Sequence, residues 1–90
     1  MMPKLLIVDD EVKIREVVKE YAKLSGYEVS EASDGVEALD LFQEEHFDCV
    51  VLDIMMPKMD GYSACREMRK IRRVPIIMLS ARHEEYDKLL

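Results

Sequence analysis

The stretch LLIVDD at residues 5–10 decides the fold, because it joins an uninterrupted apolar run to a pair of carboxylates. Such a run is typical of a strand that is buried on both faces, as strands are in parallel sheets. Two later stretches have the same form: residues 49–52 (CVVL) end at Asp53, and residues 74–79 (VPIIML) end at Ser80. The pattern predicts three apolar strands that each end in a polar residue.

Helical patterns separate these strands. The first predicted helix carries one apolar stripe, made of Ile14, Val17, Val18, Tyr21 and Ala22. Gly26 stands where a helix C-cap is expected. A shorter and more polar strand, Tyr27 to Ala32, comes next and is expected near a sheet edge. The turn signal Asp34-Gly35 then leads into a second helix.

The second half of the chain repeats the alternation. The second helix is expected to bury Val36, Ala38, Leu39 and Phe42, and the third Ala64, Cys65, Met68 and Ile71. Asp60 is placed to cap the third helix. A fourth helix is predicted to start at His83. Strands alternating with helices predict right-handed βαβ units in one α/β domain, with a doubly wound parallel sheet over residues 1–90.

The composition and net charge of the chain argue against several functional classes. The chain is 49% hydrophobic and 36% charged, which is a globular balance. Its net charge of −6 disfavours contact with nucleic acid or anionic membranes, so we expect DNA binding only through a domain absent here. No segment is apolar enough to span a bilayer or to form a signal peptide. Cys49 and Cys65 are isolated, and we interpret them as reduced, buried thiols of a cytoplasmic protein.

The polar strand ends are the candidate site. In doubly wound folds, ligands bind at the carboxyl ends of the strands, where a parallel sheet would bring Asp9, Asp10, Asp53 and Ser80 to one edge. Any one of these residues alone is more often a loop residue or a helix cap. Three adjacent carboxylates, however, would repel one another and raise one another's pKa values unless a cation offsets the cost. Oxygen ligands of this kind favour Mg²⁺.

Three motifs carry a family resemblance. Residues 6–11 (LIVDDE) resemble the acidic first-strand motif of response-regulator receiver domains of bacterial two-component systems. Residues 53–61 (DIMMPKMDG) resemble their phosphoacceptor loop almost residue for residue, and residues 75–82 (PIIMLSAR) their fourth strand. The motifs occur in the family's order and spacing. The resemblance implies a flavodoxin-like (CheY-like) sheet of order 2-1-3-4.

The resemblance also implies residue roles. Asp53 would be the phosphoacceptor, and Asp10, Asp53 and the backbone carbonyl of Met55 would ligate Mg²⁺. Asp9 would act mainly through a metal-bound water. Ser80 would hydrogen-bond the phosphoryl group and move with it. A histidine kinase or a phosphotransfer protein would be the donor, and the chain would act as a switch and not as an enzyme, most often controlling transcription through a DNA-binding domain.

Family receivers continue with a fifth strand, which carries a lysine, and a fifth helix. Neither has a counterpart in these 90 residues, so the resemblance implies a receiver that is incomplete at its C-terminus. We therefore expect the fourth strand to be exposed and to promote self-association.

Three alternatives stay open beside this interpretation. The chain could be an inert receiver scaffold that no longer signals. A haloacid-dehalogenase-type phosphatase also places a nucleophilic aspartate after a strand, but it needs a second acid two positions later, where this chain has Met55. A dinucleotide-binding domain is disfavoured because no GxGxxG motif follows the first strand.

Overall fold

A computed structural model of the chain describes residues 2–56 and 58–79. The described strands are β1 (Lys4–Val8), β2 (Glu28–Ala32), β3 (Cys49–Asp53) and β4 (Ile76–Leu79). The described helices are α1 (Val12–Leu24), α2 (Gly35–Glu44) and α3 (Gly61–Ile71). The strands form one parallel sheet in the order β2-β1-β3-β4, which confirms the predicted α/β class and strand order. The helix predicted from His83 lies outside the described residues.

Both faces of the sheet are covered, which explains why β1 and β3 are apolar throughout. Successive side chains of a strand point to opposite faces. Leu6 and Val8 therefore lie in the core beneath α2 and α3, whereas Leu5 and Ile7 lie in a smaller core beneath α1. Each such side chain contributes roughly 1.5–3 kcal/mol on burial.

The predicted apolar stripe of α1 is only partly buried. Ala22 is buried and Val18 half-buried, but Ile14, Val17 and Tyr21 are exposed. At about 100° per residue, the three exposed side chains fall on one flank of the helix, beside the line of contact with the sheet. One flank of the predicted stripe therefore faces solvent and not the core.

Smaller departures concern single residues and the first residues of two strands. Val36 of α2 and Ile71 of α3 are exposed, whereas Ala38, Phe42, Ala64 and Met68 are buried as predicted. Cys49 and Cys65 are free thiols that are half-buried, not fully buried as expected. Strands β2 and β4 begin at Glu28 and Ile76, one and two residues later than predicted. Within residues 2–56 and 58–79, no helix is long and apolar enough to cross a membrane.

Helix caps fix the segments that lead away from the strand ends. Asp60 caps α3, as predicted, by accepting a hydrogen bond from the Ser63 amide at 2.9 Å. Asp34 caps α2 in the same way through the Glu37 amide at 2.8 Å. Gly26, just past α1, has a φ of 89°, the left-handed conformation that glycine adopts at helix C-termini. These caps set where α2 and α3 begin relative to the sheet edge.

Candidate functional site

The three predicted aspartates converge at the carboxyl edge of the sheet. Val8 and Leu52 are paired neighbours in β1 and β3, so Asp9 and Asp53 end those strands side by side. One carboxylate oxygen from each of Asp9, Asp10 and Asp53 lies within 4.8 Å of the other two. Asp9 and Asp53 are buried, at 2% and 0% exposure, while Asp10 is exposed. The site is thus a carboxylate cluster with one open side.

Asp53 has one engaged and one free oxygen. The Met55 amide donates a hydrogen bond to Oδ1 at 3.2 Å, and Oδ2 accepts none from the residues that the structure describes. Burial raises the pKa of the Asp53 carboxyl to about 6, against a smaller lowering by the Met55 amide. The charges of Asp9, Asp10 and Glu11 make smaller contributions to this increase. Repulsion among the carboxylates therefore acts as predicted, but burial is the larger cause.

Asp9 is fixed through its backbone as well as its side chain. Its carboxylate accepts a hydrogen bond from the Glu11 amide at 2.8 Å, and its carbonyl accepts one from the Arg15 guanidinium at 2.6 Å. Arg15 also donates to Glu31 at 3.2 Å, which links α1 to β2. Burial is again the main reason that the pKa of Asp9 is raised. Arg15 could not be singled out from the sequence, because it is one of several charges that alternate along residues 11–23.

Gly61 allows α3 to start directly beneath the backbone of Asp53. A Cβ atom at Gly61 would lie 2.7 Å from Cα of Ile54 and closer still to the carbonyl oxygen of Asp53. The Gly61 amide donates to the Ile54 carbonyl at 2.9 Å, which closes the loop after β3. Gly61 thus shapes this loop for a steric reason. A side chain here would displace the proposed phosphoacceptor.

The structure describes the methionines of the loop after β3, but not all of the other candidate residues. Met56 and Met59 pack against the larger core, while Met55 is 39% exposed and donates its amide to Asp53. Ser80, the predicted phosphoryl contact, and Pro57 lie outside the described residues. The β2–α2 turn, interpreted from the sequence only as a turn, contacts the loop after β3 at Gly35.

These groups fit a hard divalent cation. The free Oδ2 of Asp53 is a buried, unpartnered carboxylate oxygen, which is costly unless something positive offsets it. The neighbouring carboxylates of Asp9 and Asp10 supply more oxygens and further negative charge. Oxygen-only donor sets with an open side are those that Mg²⁺ occupies in proteins.

A parallel sheet of order 2-1-3-4 with an acidic cluster at its carboxyl edge defines the class of CheY-like receiver proteins. The family model described as the response regulator receiver domain matches residues 5–89. The chain therefore belongs to the response-regulator receiver domain family, whose members are signalling modules of two-component systems. This membership sets aside the phosphatase and dinucleotide-binding alternatives.

Individual proteins that match this chain support the same family assignment. A probable transcriptional regulator, ycf27, from Guillardia theta is 54% identical over 86 residues, which are 96% of this chain and 34% of that protein. The response regulator TrrA of Thermotoga maritima in complex with Mg²⁺-BeF is 40% identical, with a TM-score of 0.87 over 98% of this chain and 77% of TrrA.

A structure of the histidine kinase ThkA in complex with TrrA also matches, at 43% identity and a TM-score of 0.83. That match covers 89% of this chain and 70% of the matched one. The chain thus spans about a third of the length of the curated relatives it matches and about three quarters of the receiver structures.

Proposed function

We propose that this receiver accepts a phosphoryl group on Asp53 in a Mg²⁺-dependent reaction and thereby switches an output. The observation that carries the proposal is Oδ2 of Asp53, which is buried and has no hydrogen-bond partner among the described residues. A carboxylate in this state is stable only beside a cation or when it is protonated. The adjacent Asp9 and Asp10 supply the further carboxylates for such a cation.

The roles that we propose for the residues are those that the family resemblance implies. Asp10 and Asp53, with the backbone carbonyl of Met55, would hold Mg²⁺ directly, and Asp9 would act through a metal-bound water. When bound, Mg²⁺ supplies positive charge that offsets the charge on the phosphoryl oxygens. One carboxylate oxygen of Asp53 attacks phosphorus, and the bond to the donor's leaving atom breaks as the acyl phosphate forms. Ser80 would donate a hydrogen bond to the phosphoryl group and move with it.

The partners we propose are a histidine kinase or a phosphotransfer protein upstream and a transcriptional output downstream. The kinase complex of the similar regulator TrrA supports the first. The probable transcriptional regulators that match this chain, most of whose length lies outside it, support the second. Contact with DNA would come through an output domain beyond these residues, in the cytoplasm.

The test is intact-mass measurement after incubation with a small-molecule phosphodonor, with and without Mg²⁺. Wild type should gain one phosphoryl group only when Mg²⁺ is present, and Asp53→Asn should gain none. Asp40→Asn, an exposed aspartate on α2, is the matched control and should be phosphorylated like wild type. Circular dichroism should show all three proteins folded.

The competing interpretation is an inert receiver scaffold. A folded wild-type chain without an adduct at any Mg²⁺ concentration would favour that scaffold and contradict the proposed function. An adduct that persists in Asp53→Asn would place the phosphoacceptor elsewhere. Binding of Mg²⁺ without any adduct would show that the cation site is intact but that phosphoryl transfer fails.

We further propose that the 90-residue polypeptide self-associates through β4. In the described part of the chain, β4 pairs with β3 along one edge only. Ile77 in the middle of β4 is 53% exposed, whereas the paired Val51 of β3 is buried. Unpaired backbone groups beside exposed apolar side chains favour pairing with a second strand.

A further inference from the structure

The N-terminus of α2 lies against the loop that follows β3. Gly35, the first residue of α2, is buried, and a Cβ atom built on it would lie 2.8 Å from Cβ of Met59 and 2.9 Å from the carbonyl oxygen of Met59. These neighbours are backbone or rigidly attached to it, so they cannot rotate out of the way. The close approach therefore exists only because residue 35 has no side chain.

A second contact joins the same two segments. Lys58 places its ammonium group 3.4 Å from the carboxylate of Asp34, the N-cap of α2. The backbone of Lys58 has a φ of 69°, a left-handed conformation that costs energy for a residue with a side chain. Such a conformation persists only where its surroundings hold it. The ion pair with Asp34 and the approach of Gly35 to the adjacent Met59 supply surroundings of this kind.

The loop held in this way is the one that places Met55 and Asp53. Its other end is fixed by Gly61, whose amide donates to the Ile54 carbonyl at 2.9 Å. The Gly35–Met59 contact, from a different part of the chain, is a second support that limits movement of the loop away from the sheet edge.

We propose that Gly35 and Met59 are positioning residues for the cation site, with the β2–α2 turn setting the position of the loop that carries Met55. The inference rests on the proposed function, because it concerns how the Mg²⁺ site is held in place. Neither residue touches the cation or the phosphoryl group. Their effect is to keep the loop in place, and groups that orient ligands in this indirect way change metal affinity by about 10- to 100-fold.

The test compares Mg²⁺ binding by isothermal titration calorimetry with the free energy of unfolding in urea. Gly35→Ala should raise the Kd for Mg²⁺ about tenfold and shift the amide resonances of Ile54 and Met55 before any Mg²⁺ is added. Gly26→Ala is the matched control. An alanine there would be strained by its φ of 89°, but the added Cβ would meet no atom within 4 Å. This variant should lose stability and leave the Kd within about twofold of wild type.

A double-mutant cycle links the effect to the contact. Met59→Gly removes the Cβ atom that an alanine at position 35 would strike and leaves the carbonyl oxygen of Met59 as the remaining obstacle. In that background, Gly35→Ala should raise the Kd less than about threefold. This comparison stays informative if Gly35→Ala alone folds poorly, because the double variant relieves part of the clash.

Three outcomes would overturn the inference. A Kd for Gly35→Ala within twofold of wild type, in a folded protein, would show that the contact does not position the site. An equal loss of affinity in Gly26→Ala would assign the effect to stability alone, and an undiminished effect of Gly35→Ala in the Met59→Gly background would exclude the Met59 side chain as its route. If wild type itself binds no Mg²⁺, both the proposed function and this inference are contradicted. The first three outcomes contradict only the inference and leave the proposed function intact.

Discussion

Asp9 and Asp53 lie side by side at the ends of neighbouring parallel strands, both almost fully removed from solvent. Each carboxylate accepts one amide hydrogen bond, from Glu11 and from Met55 respectively. No lysine or arginine is hydrogen-bonded to either carboxylate within the described part of the chain. The negative charge of these two buried carboxylates is therefore not offset. It should lower the free energy of unfolding whether or not Asp53 is phosphorylated.

Replacing Asp53 by asparagine should stabilise the protein above pH 6 when Mg²⁺ is chelated. Burial raises the pKa of Asp53 to about 6, so the native state binds a proton more tightly than the unfolded state. Wild type therefore loses stability as the pH rises from about 4 to about 6, and Asp53→Asn does not. The gain at pH 8 should be roughly 3 kcal/mol, from about 1.4 kcal/mol per pKa unit.

Urea denaturation at pH 8 and at pH 4.5, in the presence of a chelator, measures this gain. The stabilisation should be large at pH 8 and mostly absent at pH 4.5. Asp40→Asn, exposed on α2, should change the free energy of unfolding by less than about 0.5 kcal/mol at either pH. A gain for Asp53→Asn that is the same at both pH values would refute the electrostatic explanation.

Arg72 should contribute to stability by joining α2 to the segment after α3. Its guanidinium donates to the backbone carbonyls of Phe42 and Glu45 at the C-terminal end of α2, and it lies 4.9 Å from the centre of the Phe42 ring. Carbonyls at a helix C-terminus have no partner in the helix, so this contact satisfies them. We expect Arg72→Met, which keeps an apolar stem, to lower the free energy of unfolding by about 1–2 kcal/mol.

Arg73→Met is the control for that substitution. Arg73 is adjacent and equally charged but exposed, so its replacement should cost less than about 0.5 kcal/mol. Thermal and urea unfolding of the two variants should separate them clearly. Equal stabilities would mean that the contacts of Arg72 with α2 add nothing net to folding.

The fold was predictable from the sequence because its main signals are local. The apolar runs of β1 and β3 indicate strands buried on both faces, and a parallel sheet then forces their ends to one edge. Asp9, Asp10 and Asp53 could therefore be predicted to meet, although Asp53 is more than 40 positions from the other two. Topology alone brings them together.

Other features depend on packing between distant segments, which residue patterns do not show. In the sequence, Gly35 looks like any turn glycine. Only the structure shows that Met59 approaches it too closely to leave room for a side chain. The sequence pattern indicates that Arg15 is a solvent-exposed charge on a helix, but its guanidinium donates a hydrogen bond to the Asp9 carbonyl. The stripe of α1 could be predicted as apolar, but which flank contacts the sheet depends on how the helix is rotated in the fold.

Gly61→Ala should damage both stability and the site. The added Cβ would press on the carbonyl group of Asp53 and on Cα of Ile54, and relief requires the backbone to move. Overpacking of this kind costs about 1–3 kcal/mol. Because the displaced backbone belongs to Asp53, phosphorylation should slow as well. Urea unfolding and intact-mass kinetics measure the two effects.

Tyr62→Ala is the neighbouring control for Gly61→Ala. Tyr62 is exposed on the first turn of α3 and has no described contact with Asp53. Its replacement should leave the phosphorylation rate within about twofold of wild type, since surface changes away from a site have small effects. A Gly61→Ala variant with wild-type phosphorylation would show that the Asp53 backbone tolerates the displacement.

Self-association should depend on the exposed face of β4. Ile77→Lys places a charge on an edge strand, which disfavours pairing with another chain. We expect sedimentation of the 90-residue polypeptide to show species heavier than a monomer that increase with concentration and are reduced in Ile77→Lys. Val36→Lys, a similarly exposed apolar position on α2, should not reduce them. A monodisperse wild-type monomer at high concentration would refute the proposal. An equal reduction by both substitutions would show that net charge, and not the β4 edge, controls the association.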